Sequence, residues 1–453
     1  MESSGEAKDG GNSVLQALSA FFARVMRRYL PDPFVFAIVL TFVTLILGLV
    51  FQHKTVGDMV IYWGAGFWNL LGFAMQMVLI VVTGYALAKT PLVDSILVRL
   101  SSIPKTPRGA IVLATVVCGL ASYLNWGFGL ILGTLMAQKL AVKIRGIHYP
   151  LLIASAYTGW ILYGLGISAT IPLTMATPGN PFLKMAGGLL PMSQTIFLPG
   201  VIIDACILII ALPIINALIH PTKGVLDVDP STWDTGKKAA PSAPAPSLTP
   251  AERIENSPIL TILIGLCGVG YIIYHFASGG SLDLNTINAI FLFAGILLHG
   301  TPRRYIDTLN EGVRSAGGIV LQFPFYAGIM GMMAGSGLVI TISNWFVQIS
   351  NAHTLAFWGL ISSFIINFFA PSSGGHWAIQ GPFMLEAAKQ LGANLGKVSQ
   401  AVQMGSSWND LLQPFWLLPI ISLARLNVRQ IMGYTVMAWI AMGIVYTVTV
   451  LVW

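Results

Sequence analysis

Two polar, glycine-rich breaks interrupt sequence that is otherwise apolar enough for a membrane: Tyr123-Leu124-Asn125-Trp126-Gly127 and Pro371-Ser372-Ser373-Gly374-Gly375-His376. Hydrocarbon has no water to satisfy a freed N–H or C=O. Irregular backbone at that depth survives only against protein or a cavity. Paired interruptions in corresponding places of two halves point to the binding site of a secondary transporter. A single Ser-Ser-Gly-Gly could equally be a cap or a close-packing stripe of small residues; the pairing favours a site.

Composition supports the membrane reading. Of 453 residues 55% are hydrophobic and only 9% charged, and the mean hydropathy is +0.76, which excludes an ordinary soluble domain of this size. The net charge of +7 comes from short basic clusters between apolar runs, so it reads as topology rather than as a nucleic-acid surface. Cys118, Cys206 and Cys267 lie in apolar stretches without paired spacing, against a disulfide framework or zinc site. No cleavable signal sequence is expected, because the first apolar stretch carries Arg24, Arg27 and Arg28.

The expected fold class is an all-α polytopic membrane protein, an inverted-repeat secondary transporter with about nine spans and two opposed re-entrant hairpins. Residues 1–32 form a tail and an amphipathic interfacial helix near 12–30, stopped by Pro31-Asp32-Pro33. A first membrane repeat covers 33–220, with a hairpin near 109–141 broken at Asn125 and Gly127. The Pro-, Ala- and Ser-rich stretch 221–257 is a cytoplasmic linker that ends in a capping box, Thr249-Pro250-Ala251-Glu252. An extra helix at 258–277 precedes a second repeat at 285–453, with its hairpin near 353–391. Placing the N-terminus in the cytoplasm leaves all but four of the 24 Lys and Arg inside, the exceptions being Lys54, Lys184, Lys389 and Lys397. The odd extra helix inverts the second repeat, so the two hairpin tips meet near mid-membrane. Tyr157-Thr158-Gly159-Trp160 and Gly405-Ser406-Ser407-Trp408 occupy matching places just after the hairpins, and the spans with them are expected to unwind.

A hairpin tip leaves free N–H groups at the start of its second helix, where unpaired donors and the helix dipole favour an anion. The candidate substrate-binding residues are Asn125, Trp126, Gly127, Thr158, Ser372, Ser373, Gly374, Gly375, His376, Ser406, Ser407 and Asn409. His376 is either a structural donor or an imidazolium beside a carboxylate. Asp410, ionisable and within an expected span, is the first candidate for coupling to a cation; a helix cap is its plainer role. His376 could also carry a proton, whereas a sodium ion would draw on Asn125, Ser373 and Asp410. Asp204 and Glu386 are weaker coupling candidates. Tyr123, Trp126, Trp160, Trp377 and Trp408 could line a pocket for a short alkyl tail or simply pack. No Walker lysine loop, His-Glu-x-x-His pair or Gly-x-Ser-x-Gly elbow is present, so nothing supports nucleotide-driven transport or hydrolysis.

Pro31-Asp32-Pro33-Phe34, Tyr123-Leu124-Asn125-Trp126-Gly127-Phe128-Gly129, Pro371-Ser372-Ser373-Gly374-Gly375-His376-Trp377, Gln380-Gly381-Pro382 and Gln413-Pro414-Phe415-Trp416 together resemble the bacterial short-chain fatty acid transporter family. The resemblance spans nearly the whole chain outside the extreme N-terminus and the linker. It implies uptake of acids such as butyrate or acetoacetate across the bacterial inner membrane. The family is related to the ion transporter superfamily, whose members resemble one another in paired hairpins, elevator-like movement and, often, homodimers. Ser372, Ser373 and Asn125 are carried over as tip residues on that basis. Sodium-coupled relatives have Ser-Asn-Thr-type tips; Leu-Asn-Trp and Ser-Ser-Gly here leave the coupling ion open between H⁺ and Na⁺. No enzyme activity or other cofactor is implied. A carrier for dicarboxylates or other small organic anions, or an anion channel, are the alternatives; the lack of Arg or Lys in the proposed core favours a monoanion.

Overall fold

The computed structural model describes residues 33–221, 224–227 and 249–453. The expected interfacial helix near 12–30 and most of the linker lie outside them. All regular elements among the described residues are helical. The first half contains α1 (Pro33–Gln52), α2 (Val56–Gly66), α3 (Leu71–Ala88), α4 (Pro91–Leu100), α5 (Pro107–Leu124), α6 (Trp126–Lys143), α7 (Tyr149–Trp160), α8 (Thr170–Ala176) and α9 (Pro199–Leu218). Helix α10 (Pro258–Ala277) follows. The second half contains α11 (Leu284–His299), α12 (Pro302–Val313), α13 (Gly317–Ser336), α14 (Leu338–Ile349), α15 (Leu355–Ile366), α16 (Ser373–Leu391), α17 (Leu395–Asn409), α18 (Leu417–Ala424) and α19 (Val428–Val452).

Local signals explain many of the boundaries. Pro91, Pro107 and Pro302 occupy the first turns of their helices, where the missing N–H is no loss, and Thr90, Thr106 and Thr301 cap the same helices through their side chains. Gly337, in the left-handed region at φ 91°, turns the chain sharply from α13 into α14. The short helix Pro250–Glu255 carries the expected capping box between Thr249 and Glu252.

Among the described residues, eight helices are long and apolar enough to cross a membrane by length and composition. They are not the same set as the nine spans expected. Helix α11 has only 16 residues, hairpin arm α5 reaches spanning length, and the run expected at 398–422 is split between α17 and α18. The amphipathic α4 and α12 and the short α2 and α14 were not expected at all; their apolar stretches are too brief or too polar to stand out against the spans.

Both halves run through the same order of contacts. In the first, α3 packs on hairpin arm α6, α4 packs on α6, and arm α5 packs on α7; in the second, α13 packs on α16, α14 on α16, and α15 on α17. The halves also exchange partners, since α1 and α2 pack on α13 while α11 and α12 pack on α3. Small residues allow the close approaches. On α6, Gly129 faces Ser122 and Gly133 faces Cys118 of α5, and a Cβ on either glycine would overlap those side chains. On α7, Gly159 lies against the Thr115 backbone of α5 in the same way.

Candidate functional site

Both hairpins and both broken helices converge on one polar centre. In the second hairpin, α15 stops at Asn367, Pro371 prevents the helix from continuing, and Ser372 is extended (φ −145°, ψ 116°) before α16 starts. Helix α17 ends at Asn409, and the chain stays irregular through 410–416 before α18. Helix α7 passes into a 3₁₀ turn, Ile161–Leu165, then an extended Gly166 and α8.

Asp410 is the hub, fully buried where α17 breaks. Tyr163 of the 3₁₀ turn donates to its Oδ2 at 2.8 Å, while Asn367 (2.9 Å) and Gln413 (2.8 Å) donate to Oδ1. Tyr157 donates to its backbone carbonyl at 2.6 Å. The Tyr163 hydroxyl also lies 3.2 Å from the Ser373 hydroxyl at the start of α16, and Ser373 lies 2.9 Å from Ser406. Gln403 donates to Ser373 at 3.2 Å, and Ser406 donates to Asn367 at 3.0 Å. Four separate elements thus share one continuous hydrogen-bond network. Such a network is worth much when complete and is costly when any member is removed.

Beside this network lies a small, narrow cavity with room for about one water molecule. Ser372, Ser373, Tyr163 and Thr170 give it polar atoms; Trp126, Trp160 and Trp416, with Met77 and Ile319, give it an apolar wall. The Trp126 and Trp416 rings meet edge-on at 5.1 Å, and Trp160 and Tyr163 at 4.7 Å. The first N–H groups of α16, on Ser373, Gly374 and Gly375, find no acceptor among the described residues, and Ser372 makes no capping bond. Among the described residues no Lys, Arg or His lines the cavity, whose wall mixes hydroxyls with aromatic rings.

The two tips differ. At the first, the Asn125 side chain accepts from Phe128 N–H at 2.9 Å, and Ser168 accepts from Trp126 N–H at 3.0 Å. Trp160 donates to the Trp126 carbonyl at 2.8 Å. Two indole and amide donors there, Trp126 Nε1 and Asn125 Nδ2, are buried without a partner.

The residues singled out from sequence fall into three groups. Trp126, Ser372 and Ser373 line the cavity, with Ser406, Asn409 and Asp410 in the network behind it. Gly374 lies against Phe73, Phe323 and Met77, Gly375 against the Tyr326 ring, and Gly127 against the α3 backbone at Ile80 and Val81. The remainder lie outside the cavity. Thr158 accepts from Asn216 of α9 at 2.7 Å, Ser407 bonds the Met404 carbonyl, and His376 is enclosed between Asn367 and Gln380. Asn125 caps its own hairpin next to Gly84 of α3, while Ser373 and Asp410 share the network through Tyr163. Among the described residues no cluster of three or more His, Cys, Asp or Glu could hold a metal ion. Glu386 is bonded only to Gln390. The sequence gives no site signal for Asn367, Tyr163 and Gln403, lone polar side chains brought into the network only by tertiary packing, and marks Gln413 only through the motif Gln413-Pro414-Phe415-Trp416.

The fold defines a multi-pass helical membrane protein. The chain has the fold of the *YdaH* transporter of Alcanivorax borkumensis, described for an unusual topology (TM-score 0.61, 15% identity, 93% of this chain and 98% of that one). It is also similar to MtrF of Neisseria gonorrhoeae, described among antimetabolite efflux pumps (TM-score 0.50, 12% identity, 95% of this chain and 97% of that one). The sequence pattern of the short chain fatty acid transporter family matches residues 14–453, and the chain belongs to that family. Two relatives, both provisionally named short-chain fatty acid transporters, come from Escherichia coli (strain K12) and Haemophilus influenzae (strain ATCC 51907 / DSM 11121 / KW20 / Rd). The first is 43% identical over 96% of this chain and 99% of its own length, the second 42% over 94% and 97%.

Proposed function

We propose that this chain takes up short-chain monocarboxylates such as butyrate or acetoacetate across the bacterial inner membrane, with a proton carried on Asp410. The carrying observation is the mixed lining of the cavity: the hydroxyls of Ser372, Ser373, Tyr163 and Thr170 beside three tryptophans, no Lys, Arg or His among the described residues, and N–H groups without acceptors at the same tip. A monoanion with a short tail matches this lining, while a dicarboxylate would bring a second charge to the tryptophans. Tyr163 joins the cavity's Ser373 to Asp410 through direct bonds of 3.2 and 2.8 Å. Because the carboxylate oxygens are already engaged by three side-chain donors, a proton fits the site with a hydroxyl rotation, whereas Na⁺ would have to displace those donors. An anion entering against 100 mV needs such a cation, since each charge costs about 2.3 kcal/mol. The reading includes an N-terminus in the cytoplasm and hairpins dipping from opposite faces, on the distribution of Lys and Arg and the odd extra helix, together with the elevator-like movement and homodimer that the family resemblance implies.

Uptake of labelled butyrate into proteoliposomes under imposed pH or sodium gradients tests this. Accumulation under a pH gradient alone is expected. Accumulation driven only by sodium would overturn the proton assignment, and flux without saturation would make the protein a channel.

A further inference from the structure

Positive charge at the outer face gathers where the second hairpin opens. Of the four Lys and Arg that fall outside under the proposed topology, three meet there. Lys389 lies in the last turn of α16 and Lys397 in the first turn of α17, on either side of a turn that Gly392 makes at φ 65°. The short helix Leu183–Ala186, which carries Lys184, packs on α16, and a Cβ on Gly187 would stand 4.0 Å from Lys389 Nζ. None of the three lysines belongs to an ion pair among the described residues. The cluster runs against the bias that keeps basic residues inside, and such a cluster concentrates anions around it.

Beside this turn lies a cavity of about 180 Å³, with room for several water molecules where the central cavity has room for about one. The start of α15, the α16–α17 turn and the residue after α19 bound it, and His353, Asn394, Lys397, Ala356, Val398 and Trp453 are in its wall. Asn394 Oδ1 accepts from Lys397 N–H at 3.0 Å and caps α17, which leaves the amide nitrogen as a donor. Among the described residues neither Lys397 Nζ nor the His353 ring makes a hydrogen bond, and no carboxylate lies within ion-pair distance of either. No Asp or Glu is among the lining residues. The start of α17 is fixed in place, because a Cβ on Gly396 would overlap the Gln194 carbonyl.

We propose that this mouth is an outer capture site for the carboxylate of the substrate. Lys397 Nζ and the Asn394 amide hold the carboxylate beside His353, and Ala356, Val398 and Trp453 receive the short tail. The ligand class and the outward orientation rest on the proposed function. From Ser373 at the tip to Leu391 at the mouth α16 rises about 27 Å, at 1.5 Å per residue, so the site is separate from the central cavity. An anion bound here touches neither the second tip nor Asp410. Its effect is to raise the supply of anion at the outer face, which changes apparent affinity and leaves the maximal rate alone.

The test uses full-length protein in vesicles of zwitterionic lipid, oriented with the mouth outward, and reads initial uptake of labelled butyrate at low and high ionic strength. For Lys397→Gln the KM should rise about tenfold at low salt, with the maximal rate unchanged. The difference should shrink at high salt as the charge is screened. Lys397→Arg should keep the wild-type KM, and His353→Gln should shift it in the same direction as Lys397→Gln but by less. A wild-type KM for Lys397→Gln at low salt, or an equal loss of affinity and maximal rate, would overturn the capture site. A KM change that appears only in vesicles with anionic lipid would assign the cavity to a lipid headgroup and overturn it too. If the wild-type protein moves no butyrate, the proposed function falls, and crystals soaked in 4-bromobutyrate then decide on the mouth alone. Bromine density beside Trp453 that Lys397→Gln loses supports the site; its absence from the wild-type protein overturns it.

Discussion

The two hairpin tips start from similar sequence logic and reach opposite states. The first tip is closed: Asn125 and Ser168 cap two of its first three N–H groups, and Trp160 holds the Trp126 carbonyl. The second is open: Ser372 caps nothing and the N–H groups of Ser373, Gly374 and Gly375 point to no acceptor. The loop after the first broken helix explains the difference, because residues 166–168 fold back on the first tip, with Ile167 donating to the Tyr123 carbonyl at 2.8 Å. The corresponding segment after α17 instead wraps Asp410, where Gln413 turns back to the carboxylate. Symmetry in chain order therefore supplies two tips, and local side chains cap the backbone of one and leave the first N–H groups of the other open.

Four substitutions sharpen that contrast. Asp410→Asn should abolish accumulation driven by a pH gradient while preserving exchange between equal pools, since exchange needs no net ion cycle; a pH-jump uptake assay reads both. Gly374→Val comes next. Its Cβ would already lie 3.3 Å from Phe73 and Phe323 and 3.5 Å from Met77, which lines the cavity, so the added methyls must displace these side chains. Butyrate binding in a thermal-shift titration should disappear while the folded protein remains monodisperse. Trp126→Ala shortens the apolar wall. With about 0.8 kcal/mol per buried CH₂, competition assays should show hexanoate gaining on butyrate by about tenfold. Asn125→Ala should have the smallest functional effect. Loss of a cap costs about 1 kcal/mol, so a lowered melting temperature with butyrate affinity changed by less than about threefold is expected. A larger loss of affinity there than at Gly374 would reverse the roles assigned to the two tips.

Much of this was legible in the sequence, and the limits have physical causes. Periodic apolar runs and the breaks at Asn125 and Ser372–Gly375 locate the hairpins, because buried irregular backbone in a membrane demands polar or small residues. Trp160 and Trp408 mark the ends of the two broken helices for the same reason. Which way a polar side chain faces is a different matter. Thr158 and Ser406 occupy matching places, yet Thr158 turns to Asn216 on α9 and Ser406 to the tip. His376 follows the second tip in sequence but one helical turn carries it behind the cavity to Gln380. Asn367 and Tyr163 have no local motif, and only the crossing of α15, α17 and the 3₁₀ turn brings them to Asp410.

The open second tip as the carboxylate receptor is tested most directly by a structure of the complex with 4-bromobutyrate, whose bromine is located by anomalous scattering. The carboxylate should lie within hydrogen-bonding distance of the Ser373–Gly375 N–H groups, with the bromine between Trp126, Trp160 and Trp416. A carboxylate found at Asn125 instead, or a ligand with its bromine against Ser373, would contradict the account.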